Sequence, residues 1–106
     1  MNTRASLARF LGDSGVPRDL AKVLLTAAAA GVRISRELRR AGLSGETGIT
    51  GDTNVQGEVV KKMDALANEI LVEAFRSAGD AALVASEEME EPQVLAPGAP
   101  YSVLFD

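Results

Sequence analysis

The sequence predicts an α+β domain with two long helices and two strands. Apolar residues recur every three or four positions over 17–42 and over 55–78, which is the spacing of amphipathic helices. The stretch 81–86 is apolar without alternation, which predicts a strand covered on both faces, and 101–106 is rich in β-forming residues. A chain of 106 residues with 46% hydrophobic residues can build one modest core, so we expect these elements to pack around it.

The composition limits the chemistry that a site in this chain can use. The chain has no cysteine and no histidine, which excludes disulfides, thiolate zinc sites and a histidine general base. It has no run of about 18 apolar residues and no apolar signal-peptide core after Met1. We therefore expect a cytoplasmic protein without a membrane partner, whose site chemistry depends on carboxylates, hydroxyls, amides, Lys or Arg.

The net charge of −4 conceals an uneven distribution. Residues 1–43 contain eight Lys and Arg against three acids, whereas residues 44–106 contain three against twelve. Four of the arginines lie in the second half of the predicted helix over 17–42, where cations interact favourably with the negative end of the helix dipole. Because the chain has only four aromatic residues and none is interleaved with these arginines, we predict a solvated helix end and no nucleic-acid partner.

The amino-terminal part is predicted to be an arm followed by the first long helix. Residues 1–16 carry apolar side chains at helical spacing before a G-D-S-G stretch, which fits a flexible arm or a short helix. The helix over 17–42 starts with Pro17, which the first turn of a helix tolerates well. It ends at Gly42, because glycine is a common helix terminator.

A glycine-bearing loop is predicted between the two long helices. Residues 43–54 contain three glycines and no phosphate-binding glycine motif, so we expect a mobile loop rather than a nucleotide site. Thr53 and Gln56 have the spacing of a capping box for the helix over 55–78. Gly79 follows that helix and is predicted to end it.

Two acids of the second helix are candidate site residues. Glu58 follows Gly57, which disfavours a helix by up to about 1 kcal/mol relative to Ala, so we expect this turn to fray and to couple Glu58 to the loop. Asp64 lies at the edge of the apolar stripe. A carboxylate there is either a solvated neighbour of Lys61 and Lys62 or a site residue that faces a cleft.

Three further acids follow the two predicted strands. Glu87 and Glu88 come directly after the strand over 81–86, and Asp106 ends the strand over 101–106. If these strands are neighbours, their carboxyl ends bring the acids to one sheet edge, where sheets with parallel strands bind ligands. Carboxylates without His or Cys suit Mg²⁺ or Mn²⁺, and such a site favours metal-assisted hydrolysis of a phosphate. The open alternative is that E-E-M-E-E is a solvated surface run.

Several short motifs occur in an order that resembles one enzyme family. They are R-R-A-G at 39–42, T-N-V-Q-G-E-V-V-K-K-M-D at 53–64 followed by A-L-A-N-E, S-E-E at 86–88, and Y-S-V-L-F-D at 101–106. Together they resemble class I fructose-1,6-bisphosphatase over nearly the whole chain, from about residue 19 onward. The combination of T-N-V-Q-G, K-K-x-D and S-E-E in this order is highly specific.

The resemblance implies roles for the five acids. Glu87 would bridge two metal ions, Glu88 would orient or deprotonate the attacking water, and Asp106 would be a further metal ligand. Asp64 is similar to the family's helix aspartate, which polarises the water together with the loop acid. Glu58 stands where the family commonly has an acid on its catalytic lid, which engages a metal when the lid closes. The catalytic candidates are thus Glu58, Asp64 and Glu88, and the metal-ligand candidates are Glu58, Glu87, Glu88 and Asp106.

The resemblance also implies the layered α-β fold of the sugar phosphatases, of which this chain carries the amino-terminal part. The rest of the metal motif and the sugar-phosphate pocket are expected beyond Asp106, so we expect the 106-residue chain to be inactive alone. The complete enzyme is expected to be a cytoplasmic homotetramer that uses Mg²⁺ or Mn²⁺. Its substrate would be fructose 1,6-bisphosphate, cleaved to fructose 6-phosphate and phosphate in gluconeogenesis or carbon fixation.

One regulatory property and two alternative functions stay open. Residues 16–19 read V-P-R-D where AMP-inhibited members have a turn rich in Gly and Thr, so AMP inhibition does not follow from the resemblance. No residue of this chain distinguishes one sugar from another, so sedoheptulose 1,7-bisphosphate is an alternative substrate. The other alternative is a noncatalytic interaction module that docks through the alanine-rich face of 17–41; it would fold alone and ignore Mg²⁺.

Overall fold

The computed structural model describes residues 3–40 and 53–106. The elements are α1 (Thr3–Asp13), α2 (Arg18–Arg40), α3 (Thr53–Ala78), β1 (Leu83–Ser86), β2 (Gln93–Val94) and β3 (Ser102–Phe105). The strands form one small mixed sheet that packs against the helices, so the α+β class is as predicted. No helix in the described ranges combines the length and the apolar character that crossing a bilayer requires.

Helix α1 resolves the open choice for the amino-terminal arm in favour of a helix. Its end is fixed by Ser14, whose backbone N–H donates to the Phe10 carbonyl at 2.9 Å and whose hydroxyl donates to the same oxygen at 2.6 Å. Gly15 follows with a φ of 74°, a conformation that glycine adopts without strain. Leu11 is buried, which gives this helix one firm apolar anchor.

Helices α2 and α3 pack as an antiparallel pair. Near the amino-terminal end of α2, Val23 belongs to the same buried cluster as Val72 and Phe75 from the second half of α3. Near its carboxyl-terminal end, Leu38 borders the same small crevice as Met63 from the first half of α3. This pairing joins the two apolar stripes that the sequence predicts.

The helix bounds differ slightly from the predicted ones. Helix α2 begins at Arg18, and the Pro17 carbonyl accepts the first helical bond from the Ala21 N–H at 2.9 Å. Helix α3 already includes Thr53, so the last two positions of the predicted loop over 43–54 are helical. Extending a helix adds one backbone hydrogen bond for each residue fixed, which favours the longer form. The remainder of that loop and Gly42, the predicted end of the first long helix, lie outside the described residues.

The sheet has the strand order β2-β1-β3. Strand β1 pairs antiparallel with β2, with Leu83 opposite Val94. It pairs parallel with β3, with Leu83 opposite Ser102 and Ser86 opposite Phe105. The two predicted strands are therefore parallel neighbours, although each is shorter than its predicted range, 81–86 or 101–106.

Along the chain, strand β2 lies between β1 and β3, in a segment that contains three prolines. It has only two residues, Gln93–Val94, both exposed, and so few residues show no alternation that a sequence could reveal. Pro92 directly precedes it, which fits an edge strand because proline lacks the N–H that a central strand needs.

The two faces of the sheet differ in burial. Val84 is fully buried and packs with Phe75, while Val103 and Phe105 lie half-buried against the same cluster. On the opposite face Leu104 is 74% exposed. In the first strand, Leu83 and Ala85 alternate with Val84 and are half-buried. Coverage of the first strand on both faces therefore stays a prediction.

The connection from α3 to β1 also holds α2. Gly79 ends α3 as predicted, with a φ of 68° and its N–H bonded to the Phe75 carbonyl at 3.0 Å. The next residue, Asp80, accepts a hydrogen bond of 2.6 Å from the Thr26 hydroxyl of α2. Its other carboxylate oxygen is buried without a hydrogen-bond partner among the described residues. This link ties α2 to the entry into β1.

Candidate functional site

Glu87 and Asp106 directly follow the two parallel strands β1 and β3, at the same end of the sheet, which we call the carboxylate edge. Because β1 and β3 are parallel and Ser86 lies opposite Phe105, the residues that follow, Glu87 and Asp106, come next in the same register. Both are exposed. This is the neighbouring arrangement of strands that the sequence analysis required for a shared carboxylate edge.

A tight turn carries the two glutamates. The Met89 N–H donates to the Ser86 carbonyl at 3.1 Å, which makes Glu87 and Glu88 the central residues of a β-turn. The Glu88 N–H also donates to the Ser86 hydroxyl at 3.3 Å. A serine hydroxyl that accepts from the N–H two residues later stabilises this kind of turn, so Ser86 fixes the backbone from which both carboxylates project.

Helix α3 contacts this turn through Asn68. The Ser86 hydroxyl donates to the Asn68 side-chain carbonyl in a short hydrogen bond between half-buried groups. The sequence analysis did not single out Asn68, although it stands in the quoted A-L-A-N-E motif. Its spacing could have indicated it, because Asn68 is four residues after Asp64 and residues four apart lie on one face of a helix.

The two helix acids lie at different distances from the sheet edge. Asp64 is exposed and precedes Asn68 by one turn, about 6 Å along the helix axis. Glu58 is also exposed but precedes Asn68 by ten residues, about 15 Å along the axis. Along the helix axis Asp64 is therefore closer than Glu58 to Asn68, the α3 residue that contacts the turn with the glutamates. The frayed turn at Gly57 stays a prediction, since the structure continues the helix through it.

The carboxylates at this edge are the ligand type that a hard cation prefers, but they do not form a complete coordination shell. Within residues 3–40 and 53–106, no group of three or more Asp and Glu side chains converges closely enough to hold a metal ion. Mg²⁺ is bound in many phosphate-transfer sites by only one or two carboxylates, with waters and substrate phosphate completing the shell. Glu87, Glu88 and Asp106 supply oxygen ligands of this type.

Comparison with known proteins gives this edge its context. The profile described as "Fructose-1-6-bisphosphatase, N-terminal domain" matches residues 3–106. The chain belongs to the fructose-1,6-bisphosphatase family. The match covers every described helix and strand, so the resemblance noted in the sequence is confirmed.

Relatives named class 1 fructose-1,6-bisphosphatase occur in several cyanobacteria. The protein from Synechocystis sp. is 44% identical over 93 residues, which cover 84% of this chain and 27% of the relative. The proteins from Microcystis aeruginosa and Thermosynechococcus vestitus are 40% and 44% identical, with 98% of this chain and 31% of each relative covered. The chain thus spans less than a third of the length of these fructose-1,6-bisphosphatases.

Proposed function

We propose that this chain supplies the amino-terminal carboxylates of a metal-dependent fructose-1,6-bisphosphatase, which releases the 1-phosphate of fructose 1,6-bisphosphate. The observation that carries the proposal is the parallel pairing of β1 with β3, which sends Glu87 and Asp106 out of the sheet at one edge. Membership of the fructose-1,6-bisphosphatase family supports the reaction class. The names of the relatives favour fructose 1,6-bisphosphate over sedoheptulose 1,7-bisphosphate as the substrate.

In this proposal the acids divide the work between cation binding and water activation. Glu87 and Asp106 would hold Mg²⁺ or Mn²⁺, and two bound ions would share Glu87. When bound, the cation neutralises phosphate charge and lowers the pKa of water. The Glu88 and Asp64 carboxylates orient the attacking water and accept its proton. The water oxygen then bonds to phosphorus as the bond from phosphorus to the sugar oxygen breaks, and that oxygen takes a proton from solvent.

Glu58 has a conditional role in the proposal. Its position about 15 Å along α3 from Asn68 means that it reaches the cation only if the start of α3 rearranges. Gly57 beside it makes that turn easier to unfold than one with alanine would be, by about 1 kcal/mol. Glu58 therefore acts as a lid acid that joins the site when the lid closes.

The same proposal extends to the setting of the complete enzyme. We expect it to act in the cytoplasm, in gluconeogenesis or carbon fixation, as a homotetramer with a sugar bisphosphate substrate. Support for assembly comes from apolar side chains of α2 that lie open to solvent, such as Leu24 at 40% and Val32 at 42% exposure.

A chimera tests the proposal directly. The chain is joined to the remaining residues of the Thermosynechococcus vestitus relative, and phosphate release is measured with Mg²⁺ and fructose 1,6-bisphosphate. We expect turnover that Glu87→Gln reduces by at least about 10³-fold, because the substitution removes a metal-ligand charge. The matched control is Glu90→Gln, a nearby exposed acid, which should leave turnover unchanged. Near-normal turnover of Glu87→Gln would contradict the bridging role, and faster turnover of sedoheptulose 1,7-bisphosphate would change the assigned substrate.

A further inference from the structure

Three groups form a continuous hydrogen-bond relay behind the turn that carries the glutamates. The Glu88 N–H donates to the Ser86 hydroxyl at 3.3 Å, and the Ser86 hydroxyl donates to the Asn68 side-chain carbonyl. The relay is half-buried at Ser86 and Asn68 and reaches the surface at Glu88. Within the described residues, the bond between Ser86 and Asn68 joins α3 to the end of β1.

The direction of the relay is consistent at each step. A serine hydroxyl has one proton to donate and two lone pairs that accept. Since the Ser86 O–H donates to the Asn68 side-chain oxygen, a lone pair of the Ser86 oxygen is free to accept from the Glu88 N–H. Successive hydrogen bonds that run in one direction also polarise and strengthen one another. Asn68 therefore selects the Ser86 rotamer that supports the turn, out of the three staggered positions available.

The relay also connects two parts of the proposed site. Asp64 lies one helical turn before Asn68 on the same face of α3. Glu87 and Glu88 lie in the turn that the relay fixes. One amide side chain thus sets how the turn with the two glutamates sits relative to the helix with the aspartate.

We propose that Asn68 is a positioning residue, which holds the Glu87–Glu88 turn in register with Asp64 by locking the Ser86 hydroxyl. This inference rests on the proposed function, since it gives the turn a geometry to keep. In this inference Asn68 belongs to the proposed site although it binds neither the cation nor the substrate. Positioning of this kind matters because a displacement of about 1 Å between reacting groups can reduce a rate by about 10²-fold.

The test measures the turn itself by NMR in the metal-free chain. In the unmodified chain we expect the Hα–Hβ couplings of Ser86 to report one rotamer. Asn68→Ala should average those couplings and speed the exchange of the Glu88 amide proton by about fivefold to tenfold, the effect of losing one hydrogen bond. Asn68→Asp, which keeps a side-chain oxygen as acceptor, should restore both readouts. Ser86→Ala should speed Glu88 exchange to the same degree as Asn68→Ala.

The control amide is that of Gly79, whose bond to the Phe75 carbonyl lies at the other end of β1. It should exchange at the same rate in all variants. The proposal is overturned if Ser86 keeps one rotamer and Glu88 exchange is unchanged in Asn68→Ala. It is also overturned if Gly79 exchange rises by the same factor as Glu88 exchange, because this would show general loosening and not a local role.

A titration with Mn²⁺ alone separates this inference from the proposed function. In the chimera with the Thermosynechococcus vestitus relative, electron paramagnetic resonance should show that Asn68→Ala and Ser86→Ala both weaken Mn²⁺ binding by about tenfold, since each loosens the ligand-bearing turn without changing a charge. If the unmodified chimera binds no Mn²⁺, the metal assignment fails, and the NMR readouts alone decide the role of Asn68. If Mn²⁺ binding is equally tight in both variants, Asn68 does not position the metal-binding carboxylates.

Discussion

Replacing Thr26 by valine should weaken the link between α2 and the entry into β1. The Thr26 hydroxyl donates to Asp80 at 2.6 Å, and the other oxygen of that carboxylate is already buried without a described partner. Valine has the same shape and no hydroxyl, so the second oxygen of Asp80 also loses its described protein donor. A hydrogen bond to a charged group contributes about 1.5–3 kcal/mol. Because both side chains are only half-buried, we expect the free energy of unfolding to fall by about 1.5 kcal/mol.

Two further variants separate the hydrogen bond from packing. Thr26→Ser keeps the hydroxyl and loses one methyl group, which should cost about 0.8 kcal/mol at most for a half-buried side chain. A double-mutant cycle with Thr26→Val and Asp80→Ala should give a coupling energy of about 1 kcal/mol or more, since the residues are in direct contact.

Urea unfolding followed by circular dichroism supplies the measurement. With a slope of about 1–2 kcal/mol per molar urea for a chain of this size, Thr26→Val should lower the midpoint by about 1 M. An unchanged slope would show that the folded state remains compact. The reasoning is refuted if valine is no more destabilising than serine, or if the coupling energy is indistinguishable from zero.

Three other outcomes are expected. Phe75→Ala should cost about 3–5 kcal/mol because this side chain is fully buried, whereas Leu104→Ala should change the free energy of unfolding by less than about 0.5 kcal/mol because Leu104 is 74% exposed; thermal unfolding compares the two. The hydrogen bond from Arg76 lowers the pKa of Glu73 below its ordinary 4.5. Glu73→Gln should therefore reduce stability slightly near neutral pH, and the difference should vanish as acid takes the pH below that lowered pKa, as urea midpoints at both pH values will show. The 106-residue chain alone should release no phosphate from fructose 1,6-bisphosphate with Mg²⁺ above background, since no group of three or more of its described acids could hold a metal ion, and clear turnover would contradict this.

The helices were predictable because their signals are local and repeated. The stripes in 17–42 and 55–78 persist over several turns, so an error at one position changes little. Gly79 was predictable as a helix end because it is the residue type that adopts a positive φ without strain, and its φ is 68°. Strand β2 was not predictable, since two residues carry no period.

The candidate site also has residues that the sequence could predict and residues that only the fold could reveal. The acids at the strand ends could be found because chain position alone places Glu87 after one strand and Asp106 after the other. Their parallel pairing was a condition that only the fold could meet. Asn68 was missed because its role depends on a contact with Ser86, 18 residues away, and no spacing rule connects a helix residue to a strand residue. The family resemblance fixed the order of the motifs but carried no information on this contact.

The parallel pairing of β1 with β3 has a consequence for the order in which the domain folds. The antiparallel partner, β2, follows β1 after only six residues, so that ladder closes a short loop and can form early. Strand β3 follows β1 after 15 residues and must align with it across this longer connection. During synthesis, Glu87 therefore emerges well before the strand that places Asp106 beside it. The carboxylate edge therefore forms only after β3 has paired with β1.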